Sequence, residues 1–350
     1  MHKLLHIILL CLLAAPVVWA TGSLGGGGGY IDSGPQPDDL NGSNFTYPYP
    51  LKVYKFTSQK IDVEMAFMDV PPTTNSTVSG TEKVAVLLHG KNFCGATWNE
   101  TIHELTSVGY RVIAPDQVGW CKSTKPVGYQ FTFQQLALNT NSLLKQLGIY
   151  NATIVGHSTG GMLAARYALM YPSNMTALVM VNPLGLEDWK TLGVPYQSID
   201  LSWVTENATT AASIMAYEMN TYYVNTWKPE YDVWVTMLAN IYYGSKRQEF
   251  TFNQAQTTDM IYTQPFFYEF GLIAPRTLLM IGDKDNTAIG KAWSPPAVQA
   301  VIGNYSVLGP RAASLIPNSA LIQFPDLGHA PQIEEPGQFH QELLGWLSTT

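Results

Sequence analysis

The chain has 350 residues, of which 46% are hydrophobic and only 13% charged, enough apolar material for a sizeable core and far from a disordered composition. Its formal net charge of −7 comes with no basic block, which argues against nucleic acid or an anionic membrane as a partner. One large α/β domain or two small ones fit this length.

Met1-His2-Lys3 precedes an apolar run from Leu4 to Trp19, and Val18-Trp19-Ala20 carries small residues where a signal peptidase reads. This pattern predicts a signal peptide over 1–20, removed on export, rather than a stable membrane anchor, because ~16 apolar residues fall short of the ~20 of a span. Asn-x-Ser/Thr acceptors at Asn41, Asn44, Asn75, Asn99, Asn151, Asn174, Asn207 and Asn304 agree with a secreted, extracellular glycoprotein of eukaryotic type. Cys11 leaves with the signal, so Cys94 and Cys121 remain, and whether they pair depends on the fold.

Residues 21–46, with five consecutive glycines and then Pro35 and Pro37, read as a flexible leader. Leu51–Thr57 and Ile61–Met68 alternate as half-buried strands do. Lys83–Leu88, Tyr110–Ala114, Thr153–Val155, Ala177–Val181, Thr277–Gly282 and Ala320–Pro325 are apolar runs of the kind buried on both sheet faces. Helical patterns separate them at Trp98–Val108, Phe131–Leu147, Met162–Met170 and Phe339–Leu347. Alternation of this kind predicts a parallel, doubly wound sheet, with ligands at the carboxyl ends of its strands. His89, Asp116, Ser158, Asn182, Asp285 and His329 all follow strands and so belong to one rim. Between 186 and 271 the alternation breaks into aromatic-rich helical stretches. These predict a cap over the rim, most rings forming its own core and a few facing a pocket.

The central motif is Gly156-His157-Ser158-Thr159-Gly160, preceded by a strand and followed by a helix. An exposed serine oxygen needs a sharp strand-to-helix turn, and the helix start supplies N–H groups and positive potential where charge would develop. A serine hydroxyl is a poor nucleophile near neutrality and needs a histidine base, itself held by a carboxylate. Gly282-Asp283-Lys284-Asp285 and Gly328-His329 supply those in the order serine, acid, histidine.

With His89-Gly90, Asp116-x-x-Gly119, the Gly-His-Ser-Thr-Gly-Gly elbow, Gly282-x-x-Asp285 and Gly328-His329 in this order, the sequence from about Tyr47 to Leu347 resembles the α/β-hydrolase superfamily, in its capped serine hydrolase branch. The resemblance implies a mostly parallel eight-stranded sheet. It divides the core into 47–185 and 272–350, with a helical cap over 186–271 inserted after strand 6. It also implies Ser158 as nucleophile, His329 as general base and Asp285 as its orienting acid, with Asp283 as the alternative and Asp326 a loop residue. Backbone N–H groups of Lys91 and Thr159 would form the oxyanion hole. No cofactor or metal is called for. His89 is expected to organise its loop, His157 to pack, and His103 and His340 to be exposed. The loops carrying Cys94 and Cys121 are neighbours in this fold, which implies a disulfide between them. Lys91 and Asn92 replace the small or aromatic residues common after His-Gly.

The expected activity is hydrolysis of a carboxylic ester or lactone with a small to medium apolar part, through an acyl-enzyme on Ser158. An aspartate at the elbow would instead point to epoxide or haloalkane hydrolysis. Amide or C–C bond hydrolysis, cofactor-free perhydrolysis, and a non-catalytic small-ligand binder with the same pocket are the alternatives. Oligomeric state is open at this stage.

Overall fold

The structure, a computed structural model, describes residues 29–74 and 82–349. The signal segment 1–20, the start of the leader and the Asn75 acceptor lie outside the described residues. The sheet begins with β1 (Tyr30–Asp32), β2 (Leu51–Ser58) and β3 (Ile61–Val70), which pair antiparallel. The alternating part follows as β4 (Lys83–Leu88), α1 (Asn99–Ser107), β5 (Tyr110–Pro115), α2 (Phe133–Gln146), β6 (Ala152–His157), α3 (Thr159–Met170) and β7 (Met175–Val181). Four helices come next: α4 (Ile199–Asn207), α5 (Ala211–Thr221), α6 (Asp232–Tyr242) and α7 (Arg247–Thr263). The chain then returns as β8 (Thr277–Gly282), α8 (Pro296–Gln299), α9 (Tyr305–Leu315), β9 (Ser319–Phe324), α10 (Pro331–Glu334) and α11 (Pro336–Leu347).

The strand order is β1-β2-β3-β5-β4-β6-β7-β8-β9, parallel from β5 to β9. The sheet therefore has nine strands among the described residues, not eight; the added one is β1 at the edge, so the cap follows β7, the sixth of the eight expected strands. The extra strand also corrects the expectation of a structureless leader over 21–46. Tyr30–Asp32 pairs with Val53–Lys55, and Leu40 and Ser43 are buried. Ammonium groups hold this segment down. Lys122 Nζ donates to the carbonyls of Asp38 and Ser43 at 2.6 and 2.8 Å, and Lys125 Nζ to that of Asn41 at 2.8 Å.

Period-two alternation sends neighbouring side chains of the central strands to opposite faces. Val84, Val86 and Leu88 of β4 join one core, with Leu136 and Leu143 of α2 and Leu163 of α3. Ala85 and Leu87 join the other, with Ile102 and Leu105 of α1 and Phe339 and Leu343 of α11. Burial on both faces is why these strands read as continuous apolar runs. In the cap, Ser198 and Thr210 accept N–H bonds from the first turns of α4 and α5, so two helix starts are fixed by local capping chemistry.

Candidate active site

Ser158 leaves β6 with φ 57° and ψ −120°, a strained conformation for a residue with a side chain, and α3 begins at the next residue. The flanking glycines make the turn possible. A Cβ on Gly156 would meet the Gly160 carbonyl oxygen at 2.1 Å, and one on Gly160 would meet the Leu88 oxygen of β4 at the same distance. Thr159 is the first residue of α3, so its N–H belongs to the unpaired first turn of a helix. Lys91 follows β4, and its neighbour Gly90 lies against the serine: a Cβ there would stand 3.0 Å from Ser158 Cβ. Both expected oxyanion donors are thus on segments that border Ser158.

The acid and the base meet on the same rim. Asp285, three residues past β8, accepts from His329 Nδ1 at 2.7 Å, and both side chains are fully enclosed. Their loops approach so closely that a Cβ on Gly282 would fall 2.0 Å from the Gly328 oxygen. The Asp285 carboxylate is held in turn by Asn182 Nδ2 at 2.8 Å and the Thr287 N–H at 2.8 Å. With Nδ1 carrying the proton donated to Asp285, His329 Nε2 is buried and has no hydrogen-bond partner among the described residues. A general base needs that lone pair free. Asp283 is half-buried and accepts from Gln323 at 2.8 Å, and Asp326 is exposed; the carboxylate bonded to His329 is that of Asp285.

The remaining histidines sort by partner. His89 accepts the Gln117 N–H at Nε2 (3.0 Å) while Nδ1 bonds the Gly90 carbonyl (2.9 Å), and burial lowers its pKa, so it is a neutral loop organiser as expected. His157 does more than pack. It is driven well below the usual histidine range by burial, and its Nε2 donates to the His329 carbonyl at 2.8 Å, tying the elbow to the base loop. His103 is exposed, but His340 is not: it is buried between α11 and α1, bonded to Thr101 Oγ1 at 2.9 Å. The α11 face opposed to α1 is a core face, which the short apolar pattern did not reveal.

Two further groups had no sequence signal. Glu334 of α10 accepts the N–H groups of Gly328 (2.9 Å) and Ala330 (3.2 Å), bracketing His329; burial lifts its pKa to about 7. Tyr222, just past α5, accepts the His329 N–H at its carbonyl (2.9 Å) and lays its ring on the imidazole, with centroids 4.6 Å apart. Asn92 Nδ2 donates to the Tyr222 hydroxyl at 2.9 Å, and Lys91 Nζ to Glu206 of α4 at 2.5 Å. The two departures from the family's usual loop are therefore its ties to the cap.

Cys94 and Cys121 form the expected disulfide, with Cα atoms 5.8 Å apart. Asp116 braces it by accepting the Gly95 and Lys122 N–H groups (2.8 and 2.9 Å) and the Tyr47 hydroxyl (2.6 Å). The cavity above Ser158 has a volume of about 720 Å³. Tyr217, Tyr222 and Tyr242 are the cap rings in its wall, while Tyr223, Tyr231 and Phe250 are buried in the molecule's main core, as expected of most of them. The wall also holds more polar groups than the aromatic pattern implied, among them Lys91, Asn92, Thr205, Glu206 and Lys291. A second hollow of about 300 Å³ beneath Phe267 and Arg311 contains no triad residue.

Comparison with known proteins bears on the fold. A solved structure of a probable hydrolytic enzyme from Pseudomonas aeruginosa PAO1 is 51% identical, covers 86% of this chain and 95% of its own, and superposes with a TM-score of 0.83. Bifunctional epoxide hydrolase 2 of Sus scrofa is 22% identical over 77% of this chain, which spans about half (52%) of that protein's length. Lipase 1 of Psychrobacter immobilis is 24% identical over 81% of this chain and 84% of its own. The sequence profile of the alpha/beta hydrolase fold matches residues 84–336. By that match and by its sheet, the chain belongs to the α/β-hydrolase family.

Proposed function

We propose that this chain is a secreted serine hydrolase that cleaves a carboxylic ester, or a lactone, with a small to medium apolar part. The observation that carries it is the Asp285–His329 hydrogen bond, with the opposite nitrogen unpartnered, on the rim that presents Ser158 at a helix start. His329 Nε2 takes the Ser158 proton as Oγ attacks the carbonyl carbon. The resulting oxyanion is met by the N–H groups of Lys91 and Thr159. The proton passes to the leaving alkoxide, an acyl-enzyme remains, and water repeats the sequence to release the acid. Leu184, whose N–H bonds the Ser158 carbonyl at 3.2 Å, lies with Ile214, Leu238 and Ile261 in the cavity wall and gives the apolar part its surface.

A fluorophosphonate probe tests the chemistry. It is expected to label Ser158 in the folded protein, and a Ser158→Ala variant to lose at least about 1,000-fold in hydrolysis of p-nitrophenyl butyrate. An unlabelled serine in folded protein favours the non-catalytic binder. Export is part of the same proposal and is supported by the buried disulfide, which suits an oxidising compartment. Mass spectrometry of protein recovered from the medium should find a mature N-terminus at Thr21; an intact Met1 there would exclude cleavage.

A further inference from the structure

The cavity's charge is neutralised from within. Lys91 Nζ lies 2.5 Å from Glu206 Oε1, and the other carboxylate oxygen accepts the Tyr242 hydroxyl at 2.5 Å. All three side chains line the cavity with Ser158, and the two charged ones are only 17% and 14% exposed. Tyr242 cannot supply an opposing charge, since burial, then Glu206 itself, raises its pKa far above the ordinary value. Lys291 is the other lysine in the wall, and its ammonium is committed to the carbonyls of Asn286 and Ile302 at 3.1 Å each, with Glu187 and Asp285 nearby.

We propose that Glu206 is a specificity-determining residue: by occupying Lys91 in the wall of the cavity that holds Ser158, it restricts that cavity to uncharged esters. The inference rests on the serine-hydrolase reading of the site. Lys91 and Glu206 line the same cavity as Ser158, so an acyl group seated on the serine extends into the space that their ion pair borders. A carboxylate on that acyl chain would have to displace Glu206 from a short, half-desolvated ion pair, giving up one such pair to gain another while Glu206 lost its partner. A neutral acyl chain meets no such cost. Removing the negative charge of Glu206 leaves a cation with no counter-charge, and the preference inverts.

Equilibrium dialysis in a Ser158→Ala background, where no turnover intrudes, reads this directly. The probes are 4-nitrophenyl butyrate and 4-nitrophenyl hemiglutarate, ionised at pH 7. Adding Glu206→Gln should lower the ratio of the hemiglutarate Kd to the butyrate Kd at least tenfold, and adding Lys91→Met to that variant should restore it. Should Glu206→Gln fail to fold, Lys91→Met alone, which leaves Glu206 unpaired, should raise the ratio instead. A ratio unmoved by a charge change at either residue overturns the proposal. Turnover of the butyrate by the unaltered chain separately decides the esterase reading, so the two failures are distinguishable.

Discussion

Asp285 Oδ2 accepts from Asn182 and His329 at once, and Asn182 Oδ1 takes the Gly282 N–H at 2.9 Å. One amide thus fixes the carboxylate and the strand end that carries it. The sequence places Asn182 on the rim but gives it no role there: it reads as the polar stop of an apolar run, and only the register of β7 beside β8 sets it against Asp285. Ser158, Asp285 and His329 were legible because glycine-flanked polar residues at strand ends are rare and chemically suggestive. Glu218 is the opposite case. It sits in α5 with neither carboxylate oxygen partnered among the described residues, and burial raises its pKa to about 8. Its unfolded value is near 4.3. Between those values the folded chain keeps a proton that the unfolded chain releases, so this contribution to stability is present at low pH and lost as pH rises through about 8. Glu218→Gln should therefore match the parent near pH 4, fall behind it at no pH, and exceed it at pH 9 by up to about 5 kcal/mol in urea unfolding. A difference that does not change with pH would show that Glu218 ionises where it stands at no cost.

Elements differ in how plainly they announce themselves. The parallel strands were legible to within two residues, because burial on both faces demands an unbroken apolar run; Thr277–Gly282 is β8 as written. β1 was not, since three residues within a Gly- and Pro-rich stretch carry no period and owe their pairing to β2 and their anchorage to Lys122 and Lys125. α9 was missed for another reason: Val307 and Leu315 are exposed apolar residues and Pro310 lies inside the helix, which blurs the stripe. The cap was legible as helical and aromatic, but the polar part of its inner wall was not. Lys91 and Glu206 are 115 residues apart, and a pair formed across a fold has no linear signature.

At the scale of the whole molecule, three bodies meet at the rim: the sheet, the cap and the segment 38–44. The disulfide lies where they join. Cys94 belongs to the loop of Lys91 and Asn92, and Lys125 Nζ donates to the Cys121 carbonyl as well as to Asn41. The bridge closes a loop of 27 residues of separation, for which the chain-entropy argument gives about 3–4 kcal/mol. Cys94→Ala/Cys121→Ala should lower the urea midpoint accordingly and, under the proposed function, reduce p-nitrophenyl butyrate turnover with it, since the loop that carries Lys91 loses its brace. Unchanged stability would mean that Asp116, with its three donors, suffices.

The contact of Tyr222 with His329 has a consequence for engineering. In a chimera that carries the lid of another family member, a foreign side chain would rest on the imidazole, and a foreign carbonyl would receive its backbone proton. Swapping lids to retarget this protein would then alter the surroundings of His329, the proposed proton shuttle, along with the pocket. The Met219–Tyr223 stretch is therefore better transplanted with the base loop than with the helices above it.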